Sequence, residues 1–266
     1  MFKKIAIFIF FSFEVFAKPL IFGLNPYLPS NQIEKLHEKL RLHLETKLQT
    51  PVILTTSKDY KEQIELLETG KIDIATMSPN LYYEARQMKK PFIYLATVNK
   101  NDNYKNPKPG YKGVIFTLKG SGIKTFEDLK GKRFGFTDRA STSGYVCPRN
   151  AMLKHGIDPD KDLGYSFLLK KHSKILSALL QNSIDAGATY DRVLQEASLT
   201  YGDVFHLLYE TPLLPYEAYV VSNKMDKQLL EKIREALFSF EDSDAIGEAP
   251  ARFEVIEESL YDQLCI

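Results

Sequence analysis

The chain has 266 residues, 44% of them hydrophobic, and its 35 Lys and Arg nearly balance its 34 Asp and Glu. This length and hydrophobic fraction allow one large domain or two of ordinary size, and they exclude a disordered chain. A net charge of +1 without a basic stripe excludes the usual nucleic-acid binder. With only two cysteines, the chain is not a small scaffold stapled by disulfides.

The first 17 residues have the pattern of a secretory signal peptide. Lys3 and Lys4 precede an apolar run that is too short to span a bilayer as a stop-transfer helix, and the small Ala17 stands where a signal peptidase would cut. No cysteine follows Ala17 to carry a lipid anchor, and no later segment is apolar enough to cross a membrane. We therefore predict that residues 1–17 are removed and that the mature protein is exported and soluble.

Apolar runs then alternate with segments of helical period, which predicts an α/β protein. The first predicted strands are PLIFGL, PVILTT and IDIATM. A helix follows each of them, and the third helix begins at SPNLYYEARQ, with Ser78 as its N-cap and Pro79 at its first position. The polar residues 99–113 are predicted to connect this unit to a second one.

The second unit contains the predicted strands GVIFTL, RFGFT, YSFLL and IDAGAT. Helices are predicted at TFEDL, after the turn STSG, and from about Lys174 to Leu180. The stretch YETPLLPYEAYVVS predicts a second crossing, and the tail beyond it is helical. Two α/β units joined twice predict a two-lobed protein with a cleft, and ligands of open α/β sheets bind at the carboxyl ends of strands.

The turn STSG, residues 141–144, lies between the strand RFGFT and the helix that follows. A helix N-terminus exposes unpaired N–H groups and attracts anions. Three adjacent hydroxyls exceed the one that a helix cap needs, and Gly144 allows a close approach of the backbone because it lacks a Cβ. The turn is therefore interpreted as a cradle for a phosphate-like anion, with an ordinary helix cap as the alternative.

The two cysteines, Cys147 and Cys265, leave two alternatives open. A single bridge fits the oxidising conditions that an exported protein meets. Two free thiols, with Cys147 buried in the helix after the STSG turn, fit the sequence equally well.

The segment GSGIKTFEDLKGKRFGFTDRASTSGYVCPRNAMLKHGID resembles the core signature of the periplasmic substrate-binding proteins of phosphate, phosphite and phosphonate ABC transporters. Weaker similar blocks, such as KHSKILSALLQNSIDAGATYDRV, extend the resemblance from about Leu20 to Met225. It implies a type II-like periplasmic-binding-protein fold with two mixed sheets flanked by helices and a double crossover hinge. Lobe 1 would comprise residues 18–108 and 213–266, and lobe 2 residues 109–212. A periplasmic monomer without metal or organic cofactor is implied.

The resemblance also implies a set of ligand-binding residues. Donors to the anion match Tyr60, Tyr111, Ser141, Thr142, Ser143 and His172. Acidic positions at the far end of the ligand match Asp191 and Glu217. Tyr82 and Tyr83 are second-rank candidates for the wall of the cleft.

The two acidic residues suggest which ligands fit. An uncompensated carboxylate repels a dianion, so Asp191 and Glu217 favour a monoprotonated oxyanion or an aminoalkylphosphonate. The implied function is capture of phosphate, phosphite or a phosphonate and its delivery to an ABC permease. Delivery of the liganded protein to a sensor kinase or a chemoreceptor is the alternative.

Catalytic motifs are missing from the sequence. SGIK at residues 121–124 fits S-x-x-K, but neither SDN nor KTG accompanies it. G-x-S-x-G, H-E-x-x-H and P-loop patterns do not occur. Ser141 and His172 lack an orienting third group. We predict that the protein is not an enzyme, with a periplasmic serine-type hydrolase as a remote alternative. Asp185 and the other histidines, His37, His43, His155 and His206, are interpreted as structural or exposed.

Overall fold

The computed structural model describes residues 18–100, 110–245 and 247–265. The predicted signal peptide, residues 1–17, lies outside the described residues, as do residues 101–109 of the predicted connection. Two mixed sheets, each flanked by helices, form two lobes. The predicted α/β fold with two mixed sheets is confirmed.

Lobe 1 is built on a six-stranded sheet. Its strands are β1 (Leu20–Leu24), β2 (Val52–Thr56), β3 (Ile74–Met77), β4 (Phe92–Lys100), β10 (Ala218–Ser222) and β11 (Pro250–Glu254), and its helices are α1 (Ser30–Leu48), α2 (Tyr60–Glu68), α3 (Pro79–Gln87) and α7 (Lys227–Phe238). The strand order is β11-β4-β10-β3-β1-β2. β1 is parallel to β2 and β3, whereas β10 is antiparallel to β3 and β4.

Lobe 2 is built on a five-stranded sheet. Its strands are β5 (Gly113–Leu118), β6 (Arg133–Phe136), β7 (Tyr165–Leu168), β8 (Ala186–Tyr190) and β9 (Phe205–Glu210), and its helices are α4 (Cys147–Lys154), α5 (His172–Leu180) and α6 (Asp191–Tyr201). The strand order is β7-β6-β8-β5-β9. β6 is parallel to β7 and β8, and β5 is antiparallel to β8 and β9.

Separate apolar cores support the two lobes. In lobe 1, the apolar face of α1 is buried at Ile33, Leu40 and Leu44 against the sheet, where Phe22 of β1 is also fully buried. In lobe 2, the buried side chains include Phe134 and Phe136 on β6. Each lobe therefore holds its strand ends, and the side chains beyond them, in fixed positions facing the other lobe.

The chain crosses between the lobes twice, from β4 to β5 and from β9 to β10. The two connections are paired with each other, because Tyr111 and Leu214 exchange two backbone hydrogen bonds of 3.0 and 2.8 Å. This short antiparallel bridge lies at the hinge between the lobes.

Two local features differ from the sequence prediction. TFEDL does not extend into a helix and forms only a 3-10 turn, Glu127–Leu129. The Asp128 carboxylate accepts the N–H groups of Lys124 and Thr125, and Gly131, with φ +70°, ends the turn. The strands β4, β9 and β11 and the helix α6 complete the two lobes beyond the predicted elements.

The two cysteines form a disulfide, so the bridged alternative is the one found. Cys147 lies at the start of α4 in lobe 2, and Cys265 lies in the carboxyl-terminal tail. The tail packs on lobe 1, where the hydroxyl groups of Tyr261 and Thr97 lie 2.6 Å apart. The bridge packs beside Leu214 at the hinge.

Candidate functional site

A cavity of about 50 Å³ lies between the two lobes. On the same measure, one water molecule needs about 10–15 Å³, so the cavity has room for only a few water molecules or a small ligand. The structure brings all eight sequence-predicted site residues to its lining: Tyr60, Tyr111, Ser141, Thr142, Ser143, His172, Asp191 and Glu217.

Ser141 caps a widened, π-helical turn, Thr142–Val146, which contains the rest of the STSG turn and leads into α4. Pro148 has no N–H to donate to the Gly144 carbonyl four residues earlier, so a regular α-helical bond is missing at this position. The Gly144 carbonyl accepts the Thr137 N–H instead, at 3.0 Å, and the Val146 N–H bonds to Ser141 O. The widened turn is thereby anchored to the end of β6.

The turn acts as a helix cap and also presents free donors. Ser141 Oγ accepts the Gly144 N–H at 3.2 Å, as in an ordinary cap. Among the described residues, no acceptor pairs with the backbone N–H groups of Thr142 and Ser143. All three hydroxyl residues are at least 98% buried and line the cavity. A buried N-terminus with free N–H groups beside a cavity suits an anion.

The same turn contacts lobe 1 at the N-terminus of α3. The Asn80 N–H donates to Thr142 Oγ1 at 2.8 Å, and Ser78 Oγ donates to Ala140 O at 3.2 Å. Lys171 adds a third contact between the lobes, with Nζ donating to Pro26 O at 2.5 Å. The lobes are thus closed on each other around the cavity.

Gly144 allows a close approach, but to the protein itself. A Cβ on this residue would lie 1.9 Å from Thr137 Oγ1. Gly144 does not line the cavity. The expected approach of this backbone position to an anion is therefore wrong, and the glycine instead lets the turn pack on the end of β6.

Tyr60 and Tyr111 reach the turn from the other side of the cavity. Burial, followed by the negative charge of Asp138, raises the pKa of Tyr60, while the neighbouring Ser141 hydroxyl acts in the opposite direction. Burial likewise raises the pKa of Tyr111, whose hydroxyl neighbours Thr142. Both phenols stay protonated at neutral pH and can donate hydrogen bonds.

His172 begins α5 and is 98% buried. Its Nδ1 lies 2.9 Å from Thr189 Oγ1, and its ring meets the Tyr190 ring edge-on at 4.7 Å. Burial lowers the pKa of His172 to about 3. The imidazole is therefore neutral at neutral pH, with one nitrogen free to face the cavity.

The two predicted acidic residues lie in different surroundings. Asp191 begins α6, and burial raises the pKa of its carboxyl group. Glu217 precedes β10, and both of its carboxylate oxygens lie 3.1–3.3 Å from Lys100 Nζ. Glu217 is therefore compensated within the protein, and the earlier argument that it requires a proton or an amine on the ligand no longer holds for this residue.

Several cavity residues were missed by sequence reasoning. The polar and aromatic ones are Asn25, Tyr27, Ser78, Lys100, Tyr190, Arg192, Gln195, Tyr216 and Glu248. Lys100 ends β4 inside the segment interpreted as a polar connection, and Glu248 lies in the tail beyond the matched blocks. The polar character of Lys100 and Glu248 was the available signal in the sequence. No local pattern indicated that the two residues meet at the cavity.

Other candidates lie outside the cavity lining. Tyr82 is buried in lobe 1 against Tyr261 and hydrogen-bonds to Glu258, and Tyr83 packs beside the disulfide, so the expectation that they form the cleft wall is wrong. Asp185 pairs with Arg133 and has the structural role expected of it.

Sequence comparison decides the family. The profile of the phosphonate ABC transporter periplasmic substrate-binding proteins matches residues 22–259. The chain belongs to this family. Family members are solute-binding transport proteins, and lobes closing on a cavity suit that class. Among the described residues, no helix is long and apolar enough to cross a membrane.

Individual relatives are distant. The chain is 20% identical to the phosphate-import protein PhnD of Mycolicibacterium smegmatis over 232 residues, 83% of this chain and 71% of the relative. It is 22% identical over 194 residues to the tetrathionate sensor histidine kinase TtrS of Salmonella typhimurium, 68% of this chain and 33% of the relative.

Solved structures show the same fold. A binding-protein component of a phosphonate ABC transporter from Pseudomonas aeruginosa superposes with a TM-score of 0.79, at 20% identity, over 91% of this chain and 83% of that one. PhnD1 of Prochlorococcus marinus, in complex with methylphosphonate, has a TM-score of 0.75 at 16% identity, over 92% and 95% of the two chains.

Proposed function

We propose that this protein is an exported solute-binding protein that captures a small phosphorus oxyanion between its lobes and delivers it to an ABC permease. The division of the chain stays as predicted, with residues 18–108 and 213–266 in lobe 1 and residues 109–212 in lobe 2. The observation that carries the proposal is the cavity, at which hydroxyl and amide donors of both lobes meet around the STSG turn.

The proposed anion contacts come from neutral donors. The backbone N–H groups of Thr142 and Ser143 and the hydroxyls of Ser141, Thr142 and Ser143 supply lobe 2, and Tyr60 supplies lobe 1. Tyr111 donates from the hinge. His172, with Nδ1 accepting from Thr189, donates through Nε2. Hydrogen bonds to a charged acceptor contribute about 1.5–3 kcal/mol each, so five or six outweigh the cost of dehydrating the anion.

Asp191 accounts for selectivity between protonation states of the ligand. Its carboxyl group is partly buried and holds its proton more strongly than an exposed aspartate. A protonated Asp191 donates to an oxyanion, and an ionised one accepts the acidic proton of a monoprotonated ligand. In both arrangements one proton lies between the carboxyl group and the ligand, because an ionised carboxylate repels a fully ionised phosphate.

Capture by closure explains how a partner recognises the loaded protein. A ligand shifts the open and closed populations only by its different affinity for the two states. Donors from both lobes contact the ligand together only when the lobes are closed. The closed, loaded form is therefore the one presented to the permease.

A ligand screen tests the proposal. Phosphate, phosphite, methylphosphonate and sulfate are titrated into the mature protein by calorimetry, with thermal shift as the second readout. We expect at least one phosphorus oxyanion to bind in the micromolar range or tighter and to raise the melting temperature. Binding of sulfate alone, or of none of the four ligands, would contradict the proposal. Hydrolysis of phosphoesters by the protein would instead favour the hydrolase alternative.

A sensing role is the second proposal, because a stretch of the sensor kinase TtrS is similar to this chain. The same closure would present the liganded protein to a sensor. Reconstitution with candidate partners distinguishes transport from sensing. An ABC transporter should hydrolyse ATP faster in the presence of the loaded protein, whereas a sensor kinase should be phosphorylated in a ligand-dependent way.

A further inference from the structure

Lys100 lies in a pocket built for an ammonium group at one end of the cavity. Its Nζ is 2.9 Å from Glu248 Oε2, 3.1 Å from Glu217 Oε2 and 3.3 Å from the Tyr27 hydroxyl. The same ammonium lies 5.0 Å from the centre of the Tyr27 ring and 5.5 Å from that of Tyr216. Two carboxylates and two aromatic faces are the surroundings that recognise a cationic amine.

The lysine is held in this pocket firmly. Its side chain is only 5% exposed, and those of Glu217 and Glu248 are 14% exposed. Burial alone would lower the pKa of Lys100, but the two carboxylates outweigh it and raise the pKa above its usual range. Lys100 likewise lowers the pKa of Glu248 against the effect of burial. The group is charged, paired and shielded from water.

The ammonium pocket is continuous with the anion cradle. Tyr111 joins them, because its hydroxyl neighbours Thr142 and its ring stacks on Tyr216 at 5.7 Å. The two ends are therefore linked through the side chain of one tyrosine. Because the cradle and Lys100 line the same cavity, a phosphonate bound in the cradle with an amine on a short chain would direct that amine toward the pocket that Lys100 Nζ fills.

We propose that Lys100 determines ligand specificity by filling, with its own ammonium group, the pocket in which the amine of an aminoalkylphosphonate would bind. This inference rests on the proposed function. The lysine forms ion pairs with Glu217 and Glu248 within the protein, and the cavity has a volume of about 50 Å³. The protein thereby selects small phosphorus oxyanions without a cationic substituent, and loss of the lysine side chain opens an amine site.

The test compares two ligands of the same shape on two proteins. 2-Aminoethylphosphonate and propylphosphonate differ in having an ammonium or a methyl group at the end of the chain, and methylphosphonate or phosphate reports on the cradle alone. Each is titrated calorimetrically into the mature wild-type protein and into Lys100→Ala. Lys61→Ala, which removes an exposed lysine from α2, is the matched control.

We expect wild type and Lys61→Ala to bind the small oxyanion at least tenfold more tightly than 2-aminoethylphosphonate. In Lys100→Ala, the preference for 2-aminoethylphosphonate over propylphosphonate should rise about ten- to hundred-fold, because its amine meets two carboxylates that have lost the ammonium group of Lys100. Lys100→Arg should keep the wild-type order.

Two outcomes would overturn the inference. One is a wild-type protein that binds 2-aminoethylphosphonate as tightly as methylphosphonate, and the other is an unchanged ligand ratio in the variant. If Lys100→Ala does not fold without the ammonium group beside Glu217 and Glu248, Lys100→Ala with Glu248→Gln gives the same comparison. The comparison of the two ligands on the wild-type protein needs no variant. Absence of any phosphorus ligand on wild type would instead refute the proposed function.

Discussion

Thr142 belongs to the anion cradle, lines the cavity and contacts lobe 1. Its hydroxyl oxygen accepts the Asn80 N–H of lobe 1, and the same hydroxyl neighbours that of Tyr111 at the cavity. Closure and ligand binding therefore depend on the same side chain.

We predict that Thr142→Ala weakens phosphorus-ligand binding about ten- to hundred-fold, because it removes a hydrogen bond to a charged group and a contact between the lobes. Thr142→Ser keeps the hydroxyl and should stay within about threefold of wild type. Calorimetry measures both, with Thr200→Ala on the exposed face of α6 as control. Equal affinity of Thr142→Ala and wild type would remove this residue from the site.

His172 provides a second prediction at the residue scale. Burial lowers its pKa to about 3, so the imidazole keeps one protonation state from pH 5 to pH 8. We expect His172→Ala to bind the ligand at least tenfold more weakly than wild type, by the same factor at every pH in this range. Taking the ratio of the two dissociation constants cancels the ionisation of the ligand itself. A ratio that changes near pH 6.5 would show that His172 titrates in the open protein or contacts the ligand as a cation.

The residue scale also shows what the sequence could reveal. Ser141, Thr142 and Ser143 stand together in the chain, so the cradle was visible as a local motif. Lys100 and Glu248 are 148 positions apart and meet only through the folding of β4 and the tail. A pair of opposite charges at such a distance has no local pattern, because its partner is chosen by tertiary packing.

At the scale of elements, the helix after β6 depends on Gly144 and Pro148 together. We predict that Gly144→Ala lowers the free energy of unfolding by about 1–3 kcal/mol, because its Cβ would overlap the branched Thr137 side chain at 1.9 Å. Ser143→Ala adds no atom to the same turn and should change stability by less. Urea unfolding followed by circular dichroism compares them, and equal midpoints for Gly144→Ala and wild type would contradict the packing argument.

The elements that sequence patterns predicted were those with a complete local signal. α1 repeats its apolar positions over nineteen residues, and α3 begins with Ser78 accepting the Leu81 N–H, followed by Pro79. The π-helical turn was not predicted, since no local pattern shows that the Thr137 N–H pairs with the Gly144 carbonyl, for which Pro148 has no N–H. Among the described strands, β11 pairs only with β4, so its position depends on a strand about 150 residues earlier.

At the scale of the molecule, two buried histidines link stability to pH. Burial lowers the pKa of His37 to about 4 and that of His172 to about 3, against about 6.5 in the unfolded chain. Below pH 6.5 the unfolded state takes up protons that the folded state does not, so their contribution is complete above pH 6.5 and falls as the pH falls toward 4.

We predict a loss of about 2 kcal/mol for each histidine between pH 7 and pH 5. The free energy of unfolding in urea is measured across this range for wild type and for His172→Gln. The variant should lose stability less steeply, because one of the two groups is gone. Equal slopes would show that His172 is protonated in the folded protein.

The disulfide is the one side-chain cross-link between the lobes in the described part of the chain. It ties α4, directly after the cradle, to the tail on lobe 1, and it joins residues 118 positions apart. It packs beside Leu214, whose backbone pairs with Tyr111 at the hinge. The disulfide closes a long loop and therefore restricts the unfolded chain strongly. Because it lies beside the hinge, a rotation of the lobes about the hinge displaces it little.

We therefore predict that Cys265→Ser lowers the free energy of unfolding by about 2–5 kcal/mol, because the unfolded chain regains the freedom of a long loop. Ligand affinity should stay within about threefold, since the bridge contributes no donor to the cavity. Urea unfolding with and without reductant measures the first effect, and calorimetry the second. The double variant Cys147→Ser with Cys265→Ser should not respond to reductant. A bridge that instead fixes the lobes in the closed state would show itself as a large fall in affinity after reduction, with little change in stability.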